Sequence, residues 1–255
     1  MFSLNFIIYL KKTMLLDQKI GKGLPSDSEY IRHLAYDSII FGFNGKQLKI
    51  LVLEYHNTGF FALPGGFVKR NENVDDAVKR GLYERTGLQD IYLEQFHTFG
   101  DTSRSRSDVM QTILKANGYE VDNAHWMLDR FVSIAYYALI DYSNVDPRPD
   151  ALSDSINWYA IDALPELIMD HRQIVDKALV TLRDNLEKKL VGMNLLSQKF
   201  TMNQLQKVYE AVLGEKLRRT TFQRKMLGLD ILMRHEKLYT GGAHKAPYLY
   251  SFNIK

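Results

Sequence analysis

The chain has 255 residues, 45% hydrophobic and 25% charged, the composition of an ordinary globular protein with room for two domains rather than of a disordered or membrane protein. It contains no cysteine, which excludes disulfides, thiolate metal sites and cysteine nucleophiles. The net charge of +3 is unevenly spread: from Gly192 onward eleven basic residues stand against four acidic ones, a surplus of +7 that leaves −4 for the rest.

A basic tail on an acidic body points to a nucleic-acid-binding module joined to a domain with another task. At the other end, MFSLNFIIYLKK has an apolar run, Phe2 to Leu10, about half the roughly 20 residues a membrane helix needs. Its lysines follow the apolar part and no small-residue cleavage site comes after, so it does not read as a signal peptide. Residues 1–28 are expected to form a peripheral arm, with Met14 a candidate start. The protein is expected to be cytoplasmic, with no membrane partner.

In chain order, Ala35–Phe43 and Leu48–Tyr55 read as strands joined by Asn44-Gly45, a hairpin signal. Pro64-Gly65-Gly66 reads as a turn leading to a helix over Val74–Thr86, with apolar residues at 74, 77, 78 and 82 and the helix-ending Gly87. Strands are expected at Ile91–Phe99, Phe131–Ile140 and Ile156–Ala160. Between them, residues 104–130 read as a long loop holding a short helix, Val109–Ala116, and long loops in compact domains are commonly functional. After Pro165 a helix is expected over Leu167–Leu190, ending near Gly192.

The last 60 residues form a separate unit. Thr201 reads as the N-cap of a helix with Leu205, Val208, Tyr209 and Val212 on one face, ended by Gly214. A second helix, Arg219–Leu227, is expected to turn Phe222, Met226 and Leu227 inward. Strands Ile231–Tyr239 and Tyr248–Phe252 follow, joined by TGGAHKAP. Helix, turn, helix and β-hairpin is the order of a winged helix-turn-helix.

Gly66, Glu72, Arg80, Leu82, Glu84, Gly87 and Leu88 match, without a gap, the frame of the Nudix box, and FFALPGGF resembles the strand and loop before it. WYAIDALPELIMDHRQIVDKAL and the tail segments FTMNQLQKVYEAVLGEKLRRTTFQRKML and HKAPYLYSF resemble Nudix-related transcriptional regulators. The resemblance implies an α+β protein: a Nudix-type α/β/α sandwich with a mixed sheet over 29–190, sensing a ligand, then a winged-helix DNA-binding domain over 191–255.

Residues three and four apart share a helix face, so positions 81, 84 and 85 converge. In Nudix hydrolases these are glutamates that collect Mg²⁺ for attack on a diphosphate. Here they are Gly81, Glu84 and Arg85, one carboxylate and a cation that repels a metal. The box is therefore read as degenerate: no catalytic residues, no metal and no cofactor, with at most feeble hydrolysis. Glu72 and Arg80 are expected to brace the loop against the helix.

In the tail, the resemblance implies that the second helix enters the major groove of operator DNA. Thr220, Thr221, Gln223 and Arg224 are candidate readers of bases or phosphates, and Arg218, Arg219, Lys225 and wing Lys245 would neutralise phosphate. His97, His125, His171 and His244 are too scattered for a metal site; His171 suits either helix packing or a ligand pocket.

Three readings follow: a ligand-responsive transcription factor acting as a homodimer, a Mg²⁺-dependent hydrolase of nucleoside diphosphate derivatives, and a Nudix-fold interaction protein without a DNA role. The substitutions at 81 and 85 count against the second and the basic winged helix against the third. For the effector, loss of the Mg²⁺–diphosphate apparatus favours a sugar such as L-arabinose and control of its catabolism; the alternative is ADP-ribose and NAD metabolism.

Overall fold

The computed structural model describes residues 24, 26–89, 91–142, 145–186, 188, 194–239 and 246–253. Most of the expected N-terminal arm and wing Lys245 lie outside these residues, and the helix expected to reach Leu190 ends at Asn185, with Leu186 as its C-cap. No helix among the described residues is long and apolar enough to cross a membrane.

The larger part of the chain is a mixed sheet. Its strands are β1 (Tyr30–Phe43), β2 (Leu48–Tyr55), β3 (Phe61–Ala62), β4 (Gly65–Lys69), β5 (Tyr92–Phe99), β6 (Val132–Ile140) and β7 (Ser153–Ala160). The order is β3-β2-β1-β6-β5, with β4 also pairing β1 and β7 pairing β2. β1 and β6 are parallel and the other pairs antiparallel.

Helix α1 (Val74–Thr86) covers one face of the sheet and α3 (His171–Asn185) the other, with α2 (Ser107–Ala116) at the side. The period-two geometry of a strand explains the near-continuous apolar runs. Ile40, Leu51, Leu53, Tyr136 and Ala138 face Ala77, Val78 and Leu82 of α1. Their neighbours Ile39, Phe41, Ile50, Val52 and Tyr137 face Ile174, Val175, Ala178 and Leu182 of α3.

The second core does not stop at the sheet. It continues through Leu186, Leu195 and Phe200 into Leu205, Val208, Tyr209, Val212, Phe222 and Met226. These belong to the basic tail, built of β8 (Phe200–Thr201), α4 (Met202–Leu213), α5 (Arg219–Gly228), β9 (Leu232–Lys237) and β10 (Tyr248–Phe252). Thr201 caps α4 through a full capping box with Gln204, and Gly214 closes it at φ 78°.

Several boundaries differ from the sequence reading. β1 starts at Tyr30, since its first residues pair with Lys69 at the irregular end of β4. Gly65 and Gly66 belong to β4 rather than to a turn. Leu167 forms a bridge with Phe61 and Met169 takes φ 53°, so α3 begins only at His171. In α5, Phe222 and Met226, four apart, are buried, whereas Leu227 lies a further 100° around the helix and is 45% exposed. Phe200–Thr201 also forms a third strand beside the wing, pairing with β10.

Candidate functional site

The β4–α1 corner carries the box. Glu72 and Arg80 form the expected brace: Arg80 Nε and Nη2 donate to the two Glu72 oxygens at 3.1 and 2.7 Å. The Lys69 amide donates to Glu72 at 2.8 Å, and Arg80 also reaches the Phe67 carbonyl. The hydrogen bonds from Arg80 hold the Glu72 carboxyl below its ordinary pKa. Gly87 ends α1 in the left-handed conformation, its amide donating to the Tyr83 carbonyl.

The three positions that would gather a metal do something else. Arg85 is buried, with Nη1 donating to the Gly81 carbonyl at 3.2 Å and Nη2 to the Gly65 carbonyl at 2.9 Å and Asp150 at 3.0 Å. A side chain at position 81 would run into the Tyr36 hydroxyl, and one at Gly66 would come within 2.6 Å of it. Glu84, 54% exposed, turns toward Arg80 at 3.6 Å. A guanidinium and a phenol thus fill the ground that carboxylates would share, so the residues present do not fit Mg²⁺. Among the described residues no group of three or more His, Asp or Glu side chains is placed to hold a metal ion.

The corner nevertheless opens onto a cleft of about 640 Å³, the size of a pocket for a drug-sized or nucleotide-sized ligand. Lys69, Arg80, Arg85, Arg104, Arg106 and Arg148 line it, with the aromatic faces of Tyr30, Tyr55, Phe67, Tyr119 and Phe131. The segment expected to be a long loop forms its wall: α2 and the turn at Trp126–Leu128 pack on Tyr30, Phe67 and Phe131 in a small core of their own.

On the cleft floor lies a buried polar cluster. Arg104 donates to both oxygens of Asp170, at 2.8 and 3.3 Å, and to Asp37 at 3.3 Å. Ser133 donates to Asp37 at 2.6 Å. The Leu63 amide donates to His171 Nδ1 at 2.9 Å, which puts the ring proton on Nε2, 3.7 Å from Asp37. Burial lowers the His171 pKa, in the same direction as a ring that accepts at Nδ1. His171 therefore both packs α3 and lines the cleft.

Tyr36, Asp37, Arg104, Asp150 and Asp170 escaped the sequence reading. One signal was there to be read: Asp37 interrupts the apolar run AYDSIIFGF, and a carboxylate inside a buried strand demands a cation. Nothing local marks Arg104, 67 residues away, as its partner, or Asp170 as the second carboxylate on that guanidinium.

The tail presents a second candidate site. Gln206 and Glu210 of α4 fix the turn to α5: Glu210 accepts from the Leu217 amide at 3.0 Å, and Gln206 donates to the Leu217 carbonyl at 2.9 Å. The turn delivers Arg218, Arg219, Thr220, Thr221, Arg224 and Lys225 to the surface, with Gln223 half-buried beside them. In the wing, Arg234 and Lys237 sit on the Tyr248 ring at 4.7 and 5.3 Å, cations not singled out from the sequence.

Comparison with known proteins follows the same division. The model of the NUDIX domain matches residues 31–178, and that of the NrtR DNA-binding winged helix domain matches residues 192–252. The chain is 27% identical over 229 residues to the ADPR responsive transcriptional repressor NtrR of Acinetobacter baylyi, covering 87% of this chain and 82% of that one. The crystal structure of Shewanella oneidensis NrtR, solved also in complex with a 27mer DNA, shares 27% identity at a TM-score of 0.66, covering 87% of this chain and 94% of that one. A MutT/nudix family protein from Enterococcus faecalis has the same fold, at 21% identity and a TM-score of 0.63 over 94% and 93% of the two chains.

Proposed function

Since the chain belongs to the Nudix-related transcriptional regulators, with a Nudix domain followed by an NrtR-type winged helix, we propose that it is a repressor whose grip on operator DNA is set by a nucleoside diphosphate sugar of the ADP-ribose class. The observation that carries this reading is the likeness to an ADPR-responsive repressor, which runs through both domains rather than the box alone. It displaces the sugar reading suggested by the lost carboxylates. A diphosphate does not need the metal where arginines line the cleft, since they can pair with phosphate oxygens in exchange for the carboxylates that Arg80, Arg85 and Arg104 hold. Its aromatic walls suit a planar base.

Hydrolysis is not part of the proposal. Without the metal there is no Lewis acid for the developing charge and no carboxylate cluster to position an attacking water. Calorimetry of the full-length protein with ADP-ribose, L-arabinose and their mixtures tests the effector, and chromatography of the same samples tests for AMP. Binding of ADP-ribose without AMP is the expected result; binding of L-arabinose alone would restore the sugar reading.

For the tail, Arg218, Arg219 and Lys225 neutralise phosphate and Thr220, Thr221, Gln223 and Arg224 meet base edges or backbone, supported by the exposure of all but the half-buried Gln223 along the turn and α5. A homodimer on a two-fold symmetric operator completes the proposal, because one α5 buries too little surface for specific repression. Light scattering with and without DNA tests it, and a monomer in both states would refute it.

A further inference from the structure

The cluster on the cleft floor is joined to the winged helix through α3, which starts at the cluster and packs on α4 at its other end. Asp170 is the N-cap residue of α3, yet its side chain makes no capping bond and is given over to Arg104. Met169, just before it, lines the cleft with φ 53°, a conformation that long side chains rarely adopt. Ile168 is fixed on its other side by donating to the Phe61 carbonyl at 2.9 Å. A strained residue is thus clamped between a backbone bond to β3 and the Arg104–Asp170 ion pair, an arrangement that recurs where strain is put to use.

From this clamp α3 runs about 22 Å, at 1.5 Å per residue. At its far end Arg183 Nε donates to the Val212 carbonyl at 2.8 Å, in the last turn of α4, satisfying a group that the helix itself leaves open. Gly214, whose left-handed conformation turns the chain toward α5, lies against the same guanidinium: a Cβ there would be 3.4 Å from Arg183 Nη2. Leu182 and Leu186 join α3 to the core around Leu205, Val208 and Tyr209.

We infer that Arg104 reads a phosphate of the effector and releases Asp170 in doing so, so that occupancy of the cleft passes along α3 to the helix-turn-helix. This deepens the effector reading above and rests on it. Arg104 lines the cleft and makes four hydrogen bonds, one of them to the Phe131 carbonyl. A phosphate competes with a carboxylate for the same planar fork of donors. Loss of the Asp170 bond frees Met169 to relax, α3 shifts on the sheet, and the Arg183–Val212 contact that orients α4 and α5 shifts with it. Packed helices slide in this way in shear motions.

Linkage makes the inference testable, because what the effector must break should cost it affinity. The full-length protein is titrated with ADP-ribose by calorimetry, and with an operator duplex selected from a random pool by fluorescence anisotropy. Asp170→Asn should bind ADP-ribose about tenfold more tightly than the unmodified protein, and operator about tenfold more weakly when no ADP-ribose is present. A substitution that merely loosened the fold would weaken both. Arg183→Ala should still bind ADP-ribose, but its operator affinity should no longer respond. Unaltered operator affinity and response in Asp170→Asn, or a full response in Arg183→Ala, would overturn the coupling. If ADP-ribose does not bind the unmodified protein, the effector reading fails; the coupling is then decided by Asp170→Asn on operator alone, where unaltered affinity overturns it.

Discussion

The Tyr36 hydroxyl occupies the space that a side chain at position 81 would enter, so glycine in the box and tyrosine on β1 are two halves of one packing solution. Adding a methyl in mid-helix ordinarily stabilises by up to about 1 kcal/mol. Overpacking against a buried ring costs about 1–3 kcal/mol and should win here. Gly81→Ala is therefore expected to destabilise the protein, and to be nearly neutral in a Tyr36→Phe background. Urea unfolding of the four proteins of that double-mutant cycle checks it, and additive effects would show that the contact is not what excludes a side chain. It also follows that Gly81→Glu and Arg85→Glu together do not create a metal site while Tyr36 is present, which calorimetry with Mg²⁺ checks.

The brace between Glu72 and Arg80 sets a pH dependence. Hydrogen bonds from Arg80 lower the Glu72 pKa from its ordinary 4.5. The stability gained is therefore present above that value and is lost as the pH falls through the lowered one. Glu72→Gln should cost about 1.5–3 kcal/mol at neutral pH, as for hydrogen bonds to a charged group. Urea midpoints measured in steps below pH 4.5 should bring the two proteins together. A gap that persists undiminished into acid would mean the carboxylate charge contributes nothing.

How much of this was legible in the sequence depends on the range of the interactions. Helix α1 was read to the residue, since its stripe and Gly87 are local signals. The β1–β2 pairing and the order of the tail were legible for the same reason, through Asn44-Gly45, Thr201 and Gly214. The start of α3 was missed because the left-handed Met169 has no signature of its own. The cleft was invisible because it is assembled across the chain: Asp37, Arg104 and Asp170 meet only in the fold. The sequence favours a sugar effector only as long as a lost metal means a lost diphosphate, and the arginines that make the proposed alternative possible are spread from Arg80 to Arg148.

DNA recognition by α5 separates into two kinds of contact. Arg219→Ala, an exposed cation, should weaken binding to every sequence and flatten the salt dependence by about one unit. Gln223→Ala should relax specificity at one operator position, costing about 1–3 kcal/mol there. Anisotropy with operator and scrambled duplexes over a salt series distinguishes them. If both variants keep unaltered affinity and salt slope, α5 is not the reading helix. Truncation before the tail is a poorer test, since Phe200, Leu205 and Val208 share the core packed on α3.

In the proposed function a Nudix fold without its metal apparatus serves as an ADP-ribose-class sensor for a winged helix. Its most direct test is one titration: full-length protein on fluorescent operator, ADP-ribose added with magnesium and again with EDTA, and AMP assayed at the end. The expected result is the same change in operator affinity in both series and no AMP. Operator affinity indifferent to ADP-ribose, or a response that needs magnesium and ends in turnover near one per second, an ordinary enzyme rate, would contradict it.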